Sequence, residues 1–142
     1  MLKKLKDSTG DTIVEVLIAL AVLSLAFVIS YATANRALVD SQNAQEHTLA
    51  LEYLDAQIEA LRYYAGQPGQ TLPSGAFYLQ PDLNNGTIQV DAAPGTEPGN
   101  GFSYSISLNR NLTISNTYNA KVTWPGLGSL GQQSEELSYR VY

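Results

Sequence analysis

The feature that most limits how this chain can fold is an apolar run near its start. Residues 16–34 read VLIALAVLSLAFVISYATA, without a charge, a glycine or a proline. In a helix that rises about 1.5 Å per residue, these residues span roughly 28 Å, close to the thickness of the hydrocarbon core of a bilayer. A helix in the core of a soluble domain normally keeps one polar face, whereas this run is apolar on all sides. The sequence therefore favours a membrane-spanning helix.

The charges around the run predict its orientation. Lys3, Lys4 and Lys6 precede it, and Arg36 is the one basic residue just after it. Basic residues accumulate on the cytoplasmic side of membrane helices, so we expect a cytoplasmic N-terminus and a domain on the outer side. Inside the run, the hydroxyl groups of serine and threonine can bond back to the helix backbone.

Two other interpretations of the run stay open. One is a buried core helix. The other is a secretory signal peptide cleaved after Ala34, because Ala32-Thr33-Ala34 has the small-residue pattern of such a site and would release a soluble domain. Asp11 and Glu15 stand between the basic start and the apolar middle, which is unusual for a signal peptide.

The helix is predicted to continue beyond the membrane. No glycine or proline occurs between Thr12 and Ala65, and Gly66, Pro68 and Gly69 then give a stop signal. A helix of this length would span about 80 Å. Its second half is predicted to carry an apolar stripe on one side and polar residues, Gln57 among them, on the other. The stripe consists of Ala44, His47, Leu51, Leu54, Ile58, Leu61 and Ala65.

After Gly66 the period of the pattern changes from that of a helix to that of strands. Alternating apolar and polar residues predict strands at 76–80, 87–91, 102–108, 118–124 and 137–142. Asn85-Gly86 predicts a tight turn between the first two. Such strands form an antiparallel sheet with one wet face, which the helical stripe would cover. The expected fold is α+β, with segments 1–10 (basic leader), 11–35 (membrane helix), 36–65 (amphipathic helix) and 66–142 (sheet domain).

The composition argues against several functional classes for this chain. There is no cysteine, which excludes disulfides and thiolate chemistry, and the only histidine, His47, is interpreted as a packing residue on the stripe. No pairing of a nucleophile with a base is visible, so we expect neither an enzyme nor a cofactor. The formal net charge of −5 makes nucleic acid an improbable partner.

Three short motifs have simpler explanations than a ligand site. GLGSLG at 126–131 has the spacing of a dinucleotide fingerprint but lacks the helix and acidic residue that should follow, so we interpret it as a hairpin loop. Residues 82–86 (DLNNG) hint at a calcium loop but lack its closing glutamate. Asn85-Gly86-Thr87 and Asn111-Leu112-Thr113 are glycosylation sequons, at a frequency that chance would supply.

Thr12-Ile13-Val14-Glu15 has the pattern of a capping box. In that arrangement Thr12 would cap the helix and Glu15 would reach back to the backbone. Both Asp11 and Glu15 would then lie at the positive end of the helix dipole. Capping accounts for Glu15 only in part, because it does not explain the basic leader or the glycine directly before Asp11.

Gly10 followed by DTIVEVLIALAV resembles the prepilin signature of the type IV pilin and pseudopilin superfamily. The resemblance covers about 25 residues: a short basic leader ending in glycine, a threonine, two aliphatic residues, a glutamate and a long apolar helix. The predicted long helix, glycine break and antiparallel sheet are also similar to that family. The resemblance implies a structural subunit, a minor pilin or pseudopilin, of an extracellular or envelope-spanning filament.

The resemblance further implies a mechanism and partners. A prepilin peptidase would cut after Gly10 and free the amino group of Asp11. Glu15 would then pair with the Asp11 amino group of a neighbouring subunit as the helices leave the lipid and form a filament core. The implied partners are that peptidase, other pilin-like subunits, the inner-membrane assembly platform and, before assembly, membrane lipid.

The chain departs from the family pattern at three places. Asp11 stands where Phe or Met is usual, which leaves N-methylation of the first mature residue open. Ser24 and Ala32 occupy positions where many pilins have glycine and proline. The C-terminal disulfide loop of many members is absent, and residues 93–101 and 125–131 are expected to form loops closed in another way.

Overall fold

The computed structural model describes residues 9–82, 85–99, 103–127 and 130–142. This part of the chain forms the predicted α+β fold, with one long helix and one antiparallel sheet. The sheet has six strands, one more than the sequence predicts. The strand order is β2-β1-β4-β5-β6, and β3 pairs with β4 beside that path. The elements are α1 (Thr9–Ala65), β1 (Phe77–Asp82), β2 (Thr87–Ala92), β3 (Gly95–Pro98), β4 (Ser103–Arg110), β5 (Thr117–Pro125) and β6 (Gln132–Arg140).

The chain divides into two compact units, Met1–Ser41 and Gln42–Tyr142. The first unit contains the apolar part of α1. The second contains the rest of α1 together with the whole sheet, because side chains from residues 46–64 of the helix are buried against the strands. The second unit thus begins inside the helix, ahead of the predicted sheet segment 66–142.

Helix α1 runs without a break and stops where the sequence predicts. The N–H of Gly66 donates to the carbonyl of Arg62 at 3.1 Å, and the N–H of Gln67 donates to that of Tyr64 at 3.2 Å. These bonds satisfy carbonyl groups that the end of a helix leaves without helical partners. Gly69, at φ +85°, then turns the chain in a conformation that glycine adopts without strain.

The hairpin predicted from Asn85-Gly86 is confirmed. Strands β1 and β2 pair antiparallel, with Asp82 opposite Thr87 in the last register pair. The N–H of Gly86 donates to the carbonyl of Asp82 at 2.9 Å, and Gly86 has φ +64°. Strands β5 and β6 also pair antiparallel, with Pro125 opposite Gln132, as the hairpin interpretation of GLGSLG predicts; residues 128–129 of that motif lie outside the described residues.

Strand β6 begins five residues earlier than predicted. The sequence places its start at Leu137, whereas the strand begins at Gln132 and pairs with β5 from Gln132↔Pro125 to Arg140↔Thr117. The stretch QQSEE has no apolar alternation, but ladder hydrogen bonds form between backbones whatever the side chains are. Strand β4 also extends two residues beyond the predicted end, to Arg110.

Strand β3 lies where the sequence predicts a loop. Residues Gly95–Pro98 pair with β4, with Gly95 opposite Ile106 and Pro98 opposite Ser103. Glycine and proline are depleted in strands, so the short segment gave no signal. Gly95 is buried because the ring of Tyr78 lies directly over it, where a Cβ atom would overlap the ring.

The stripe that α1 buries is rotated relative to the predicted one. The sequence pattern predicts a buried position for Ala44, His47 and Leu51, but all three are exposed. It predicts an exposed position for Gln57, which is only 4% exposed. Leu54 and Leu61 are fully buried as predicted, and Ile58 and Ala65 are partly so. The helical residues that are in fact buried are Glu46, Ala50, Leu54, Gln57, Ala60, Leu61 and Tyr64.

The core lies between this stripe and one face of the sheet. Each large apolar side chain buried there contributes about 1.5–3 kcal/mol relative to an exposed one. Aromatic rings fill much of the space, including the edge-to-face pair of Phe77 and Tyr118, whose centroids are 6.0 Å apart. The strands supply Phe77, Leu79, Tyr104, Ile106, Leu108, Tyr118, Ala120, Val122 and Trp124.

Candidate functional site: the acidic start of the apolar helix

The first unit presents an apolar helical surface. From Ile13 to Ile29, the large apolar side chains are between 52% and 66% exposed, and the most apolar 18-residue window of the helix has a mean hydropathy of 2.7. It is the one helix among the described residues that is long and apolar enough to cross a membrane. Exposure of such a surface to water is unfavourable, and an apolar patch of this extent is typical of an interaction site.

Two hydroxyl groups within the apolar segment bind the helix backbone. The Oγ of Ser24 donates to the carbonyl of Leu20 at 2.7 Å, and the Oγ1 of Thr33 donates to that of Ile29 at 2.9 Å. This confirms the predicted back-bonding for these two residues.

Glu15 lies at the beginning of this apolar surface. Its side chain is exposed, and the spacing of four residues places Asp11 one turn earlier on the same side of α1. The backbone of Gly10 and Asp11 is helical. The side chain of Asp11, and the residues Lys3, Lys4 and Lys6, lie outside what the structure describes. Glu15 is thus the described carboxylate nearest to the apolar segment.

Thr12 lies within the described part of α1, which runs from Thr9 to Ala65. The residues that precede Thr9 lie outside what the structure describes. The capping box of Thr12 and Glu15 therefore stays a prediction.

Gln57 attaches the second half of α1 to β1. Its Nε2 donates to the carbonyl of Leu79 at 2.9 Å, and its Oε1 accepts from the N–H of the same residue at 3.1 Å. Both side chains are buried. One amide group therefore satisfies two backbone groups of β1 that would otherwise be buried without partners.

Two tyrosine hydroxyls bind glutamate carboxylates, one between the helix and the sheet and one between two strands. Tyr104, fully buried on β4, donates its hydroxyl hydrogen to the carboxylate of Glu46 on α1. Tyr78 on β1 donates to the carboxylate of Glu97 on β3. Burial, and secondarily the neighbouring carboxylate, raises the pKa of both hydroxyls well above the ordinary tyrosine value. Both tyrosines are therefore neutral donors at physiological pH.

Two further contacts lie at the edge of the helix–sheet interface. The Nδ1 of His47 is 3.2 Å from Oε1 of Glu135, and its ring stands edge-on to Trp124. His47 is thus a half-exposed packing residue with a partnered ring. Near the other end, the Nε of Arg62 donates to the hydroxyl of Tyr139 at 3.0 Å, a bond that raises the pKa of Arg62.

Sequence reasoning missed Glu46 and Gln57 as interface residues. The helical pattern assigns Gln57 to the polar side and gives Glu46 no role, and no neighbour in sequence marks either residue as buried. Their partners, Tyr104 and Leu79, lie 58 and 22 residues away. Only the fold brings these groups together.

No protein-family model, curated protein or solved structure matches this chain. The resemblance of residues 1–25 or so to the prepilin signature therefore has no support from a whole-chain relative. A functional conclusion must come from the arrangement of the residues themselves.

Proposed function

We propose that this chain is a pilin-like structural subunit, a minor pilin or pseudopilin, of an extracellular or envelope-spanning filament. The observation that carries the proposal is the order of four features along one helix. Gly10, Thr12 and Glu15 stand at the spacing of a prepilin signature, and an uninterrupted apolar surface follows them. The same helix then continues into a folded domain, through residues 42–65.

The bond between Gly10 and Asp11 is well situated for cleavage by a prepilin peptidase. Both residues have helical backbone in the described part of α1. Glycine weakens a helix by about 1 kcal/mol relative to alanine, so Gly10 makes local unwinding easier. Cleavage there would free the amino group of Asp11 one turn before Glu15.

In the assembled filament, Glu15 pairs with the Asp11 amino group of a neighbouring subunit. The exposed apolar surface that follows Glu15 leaves lipid and packs against equivalent surfaces of other subunits. A carboxylate in such a dry bundle needs a cation, and loss of one partner from a buried ion pair costs about 3–5 kcal/mol. This energy selects the helix register in which the two groups meet, while like-charge repulsion from the Asp11 side chain offsets part of it.

In the membrane before assembly, the position of Glu15 limits its cost. The residue lies at the start of the apolar surface, near the headgroups, where an acidic side chain is less unfavourable than at the bilayer centre. The basic leader holds that end of the helix on the cytoplasmic side. The prepilin peptidase and the assembly platform would act on this end of the chain.

Sequencing the N-terminus of the protein isolated from cells tests the proposal. A first residue of Asp11 is the expected result. A chain that begins at Met1 would instead be a single-span anchor carrying an extracytoplasmic binding domain, and a chain that begins at Asn35 would be a secreted domain. Either result would overturn the proposed function.

A further inference from the structure

The chain contains two Asn-x-Thr sequons, Asn85-Gly86-Thr87 and Asn111-Leu112-Thr113. Sequons of this kind are acceptors for N-linked glycosylation in chains that reach the outer side of a membrane. Sequence alone does not distinguish the two. Their local geometry does, because the side-chain amide of each asparagine is held in a different way.

The amide oxygen of Asn111 is bound by the backbone of its own sequon. Its Oδ1 accepts from the N–H of Thr113 at 2.9 Å and from the N–H of Ile114 at 3.1 Å. The loop is closed at its base, since the N–H of Asn111 donates to the carbonyl of Thr117 at 2.8 Å. The turn therefore fixes the amide plane through its oxygen and directs the reactive nitrogen away from those donors.

The amide nitrogen of Asn85 is held instead by a carboxylate. Its Nδ2 donates to Oδ2 of Asp82 at 2.7 Å, a charge-assisted hydrogen bond. The N–H of Asn85 also points to Oδ1 of the same aspartate at 3.4 Å. To react, this nitrogen must first leave the carboxylate, so Asn85 is the less reactive of the two acceptors.

The surroundings of Asn111 are open. Leu112 is 92% exposed and Ile114 is 51% exposed, which leaves space for an enzyme at the tip of the β4–β5 loop. An exposed pair of aliphatic side chains on an ordered loop is also a surface that an attached sugar chain would shield from water.

We propose that Asn111 is an N-glycosylation site, modified from an oligosaccharide donor linked to a lipid through pyrophosphate. The Nδ2 of Asn111 attacks C1 of the first sugar, and a nitrogen–carbon bond forms. The bond between C1 and the pyrophosphate oxygen breaks, and the lipid pyrophosphate leaves with the electron pair. The proton from Nδ2 passes to a base of the transferase. The two donors on Oδ1 favour the loss of this proton, because they stabilise the negative charge that the amide oxygen takes up as Nδ2 is deprotonated.

The inference rests on one part of the proposed function, the placement of residues 42–142 on the outer side of the membrane. The test is mass spectrometry of peptides from the full-length protein isolated from the cells that make it. The variants are Asn111→Gln, Thr113→Val and Asn85→Gln. Thr113→Val keeps the asparagine and the backbone donors of the turn but removes the hydroxyl that a sequon requires.

The expected result is a glycan on the peptide that contains Asn111 in the wild type and in Asn85→Gln, with complete loss in Asn111→Gln and Thr113→Val. Modification at Asn85 in place of Asn111 would overturn the geometric argument. So would loss of the glycan in Asn85→Gln with Asn111 intact.

A control sequon separates this inference from the topology on which it rests. Gly69→Asn creates a sequon with Gln70 and Thr71, all exposed, at a positive-φ position that asparagine tolerates better than most residues. A glycan at position 69 with none at Asn111 would overturn the inference and leave the topology standing. No glycan at either position would also overturn it, and protease treatment of intact cells would then show whether the domain lies outside.

Discussion

Gln57 on the helix binds both backbone groups of Leu79 on β1, at 2.9 Å to the carbonyl oxygen and 3.1 Å from the N–H. A helical side chain thus takes the place of a neighbouring strand at this point of β1. The arrangement fixes the height and rotation of α1 on the sheet, because a shift of either element would break both bonds. Apolar contacts between helix and sheet specify this position less strictly than the hydrogen bonds do, because the hydrophobic effect has no direction.

Gln57→Leu is expected to destabilise the domain by about 2–4 kcal/mol, because two buried backbone groups lose their partners. The measurement is urea unfolding in detergent micelles, followed by the fluorescence of the single tryptophan, Trp124, which is buried. Gln45→Leu, at an exposed position of the same helix, is the matched control and is expected to stay within about 0.5 kcal/mol of wild type. Equal midpoints for the two variants would contradict the role of Gln57.

Gly95→Ala is expected to destabilise the domain by about 1–3 kcal/mol, since the new methyl group would overlap the ring of Tyr78. The same urea experiment measures the loss. Gly75→Ala is the control, because a Cβ atom at Gly75 meets nothing within 4 Å. Similar stabilities for the two alanine variants would show that the packing of the Tyr78 ring does not require glycine at position 95.

Stability is expected to fall above about pH 10. Burial raises the pKa of Tyr78 and of Tyr104 above the ordinary 10.0, so the unfolded chain ionises these hydroxyls before the folded one does. Their contribution to the free energy of unfolding is fully present below pH 10, and it is lost as the pH rises through the pKa values of the folded state. Urea midpoints between pH 8 and pH 11 would show this loss, which should be shallower in Tyr78→Phe. A midpoint that is flat up to pH 11 would refute the expectation.

Glu15→Val is expected to insert normally into the membrane but to abolish filament assembly, because the proposed partner of the Asp11 amino group is gone. Membrane fractionation measures insertion, and electron microscopy of sheared cell-surface material measures filaments. Glu52→Val, at an exposed helical position in the second unit, is the control and should leave assembly intact. Normal filaments from Glu15→Val cells would count decisively against the pairing.

Gly10→Val is expected to leave an uncut precursor of the full 15.4 kDa in the membrane. A branched side chain at the cleavage position removes the glycine that the signature requires directly before the bond to be cut. Immunoblotting of membrane fractions distinguishes precursor from mature protein. Ser8→Val, two residues earlier in the leader, is the control. Unchanged processing of Gly10→Val would refute this cleavage site.

Local signals in the sequence were enough for most of the secondary structure. The absence of glycine and proline up to Ala65 predicted an unbroken helix, and Asn85-Gly86 predicted the β1–β2 hairpin. Alternation predicted the buried faces of β4 and β5 because these strands cover one core on one side. Each of these features depends on residues that are close in sequence.

The missed features depend on partners that are distant in sequence. Strand β3 forms because its backbone pairs with the edge of β4 and the ring of Tyr78 packs on Gly95. The sequence of four residues contains no signal for either contact. The buried stripe was misjudged because Glu46 and Gln57 count as polar in any pattern, while Tyr104 and Leu79 make their burial favourable. These two pairs determine which face of the helix is buried against the sheet.

The bond between Gln57 and β1 has a consequence for which substitutions the chain can accept. Since both of its hydrogen bonds end on the peptide groups of residue 79, they make no demand on the side chain there. Position 79 therefore accepts other apolar residues of similar volume. At position 57 even asparagine is too short to reach the strand, because its side chain has one methylene group fewer. The specificity of this one contact therefore depends on the side chain of the helix and not on that of the strand.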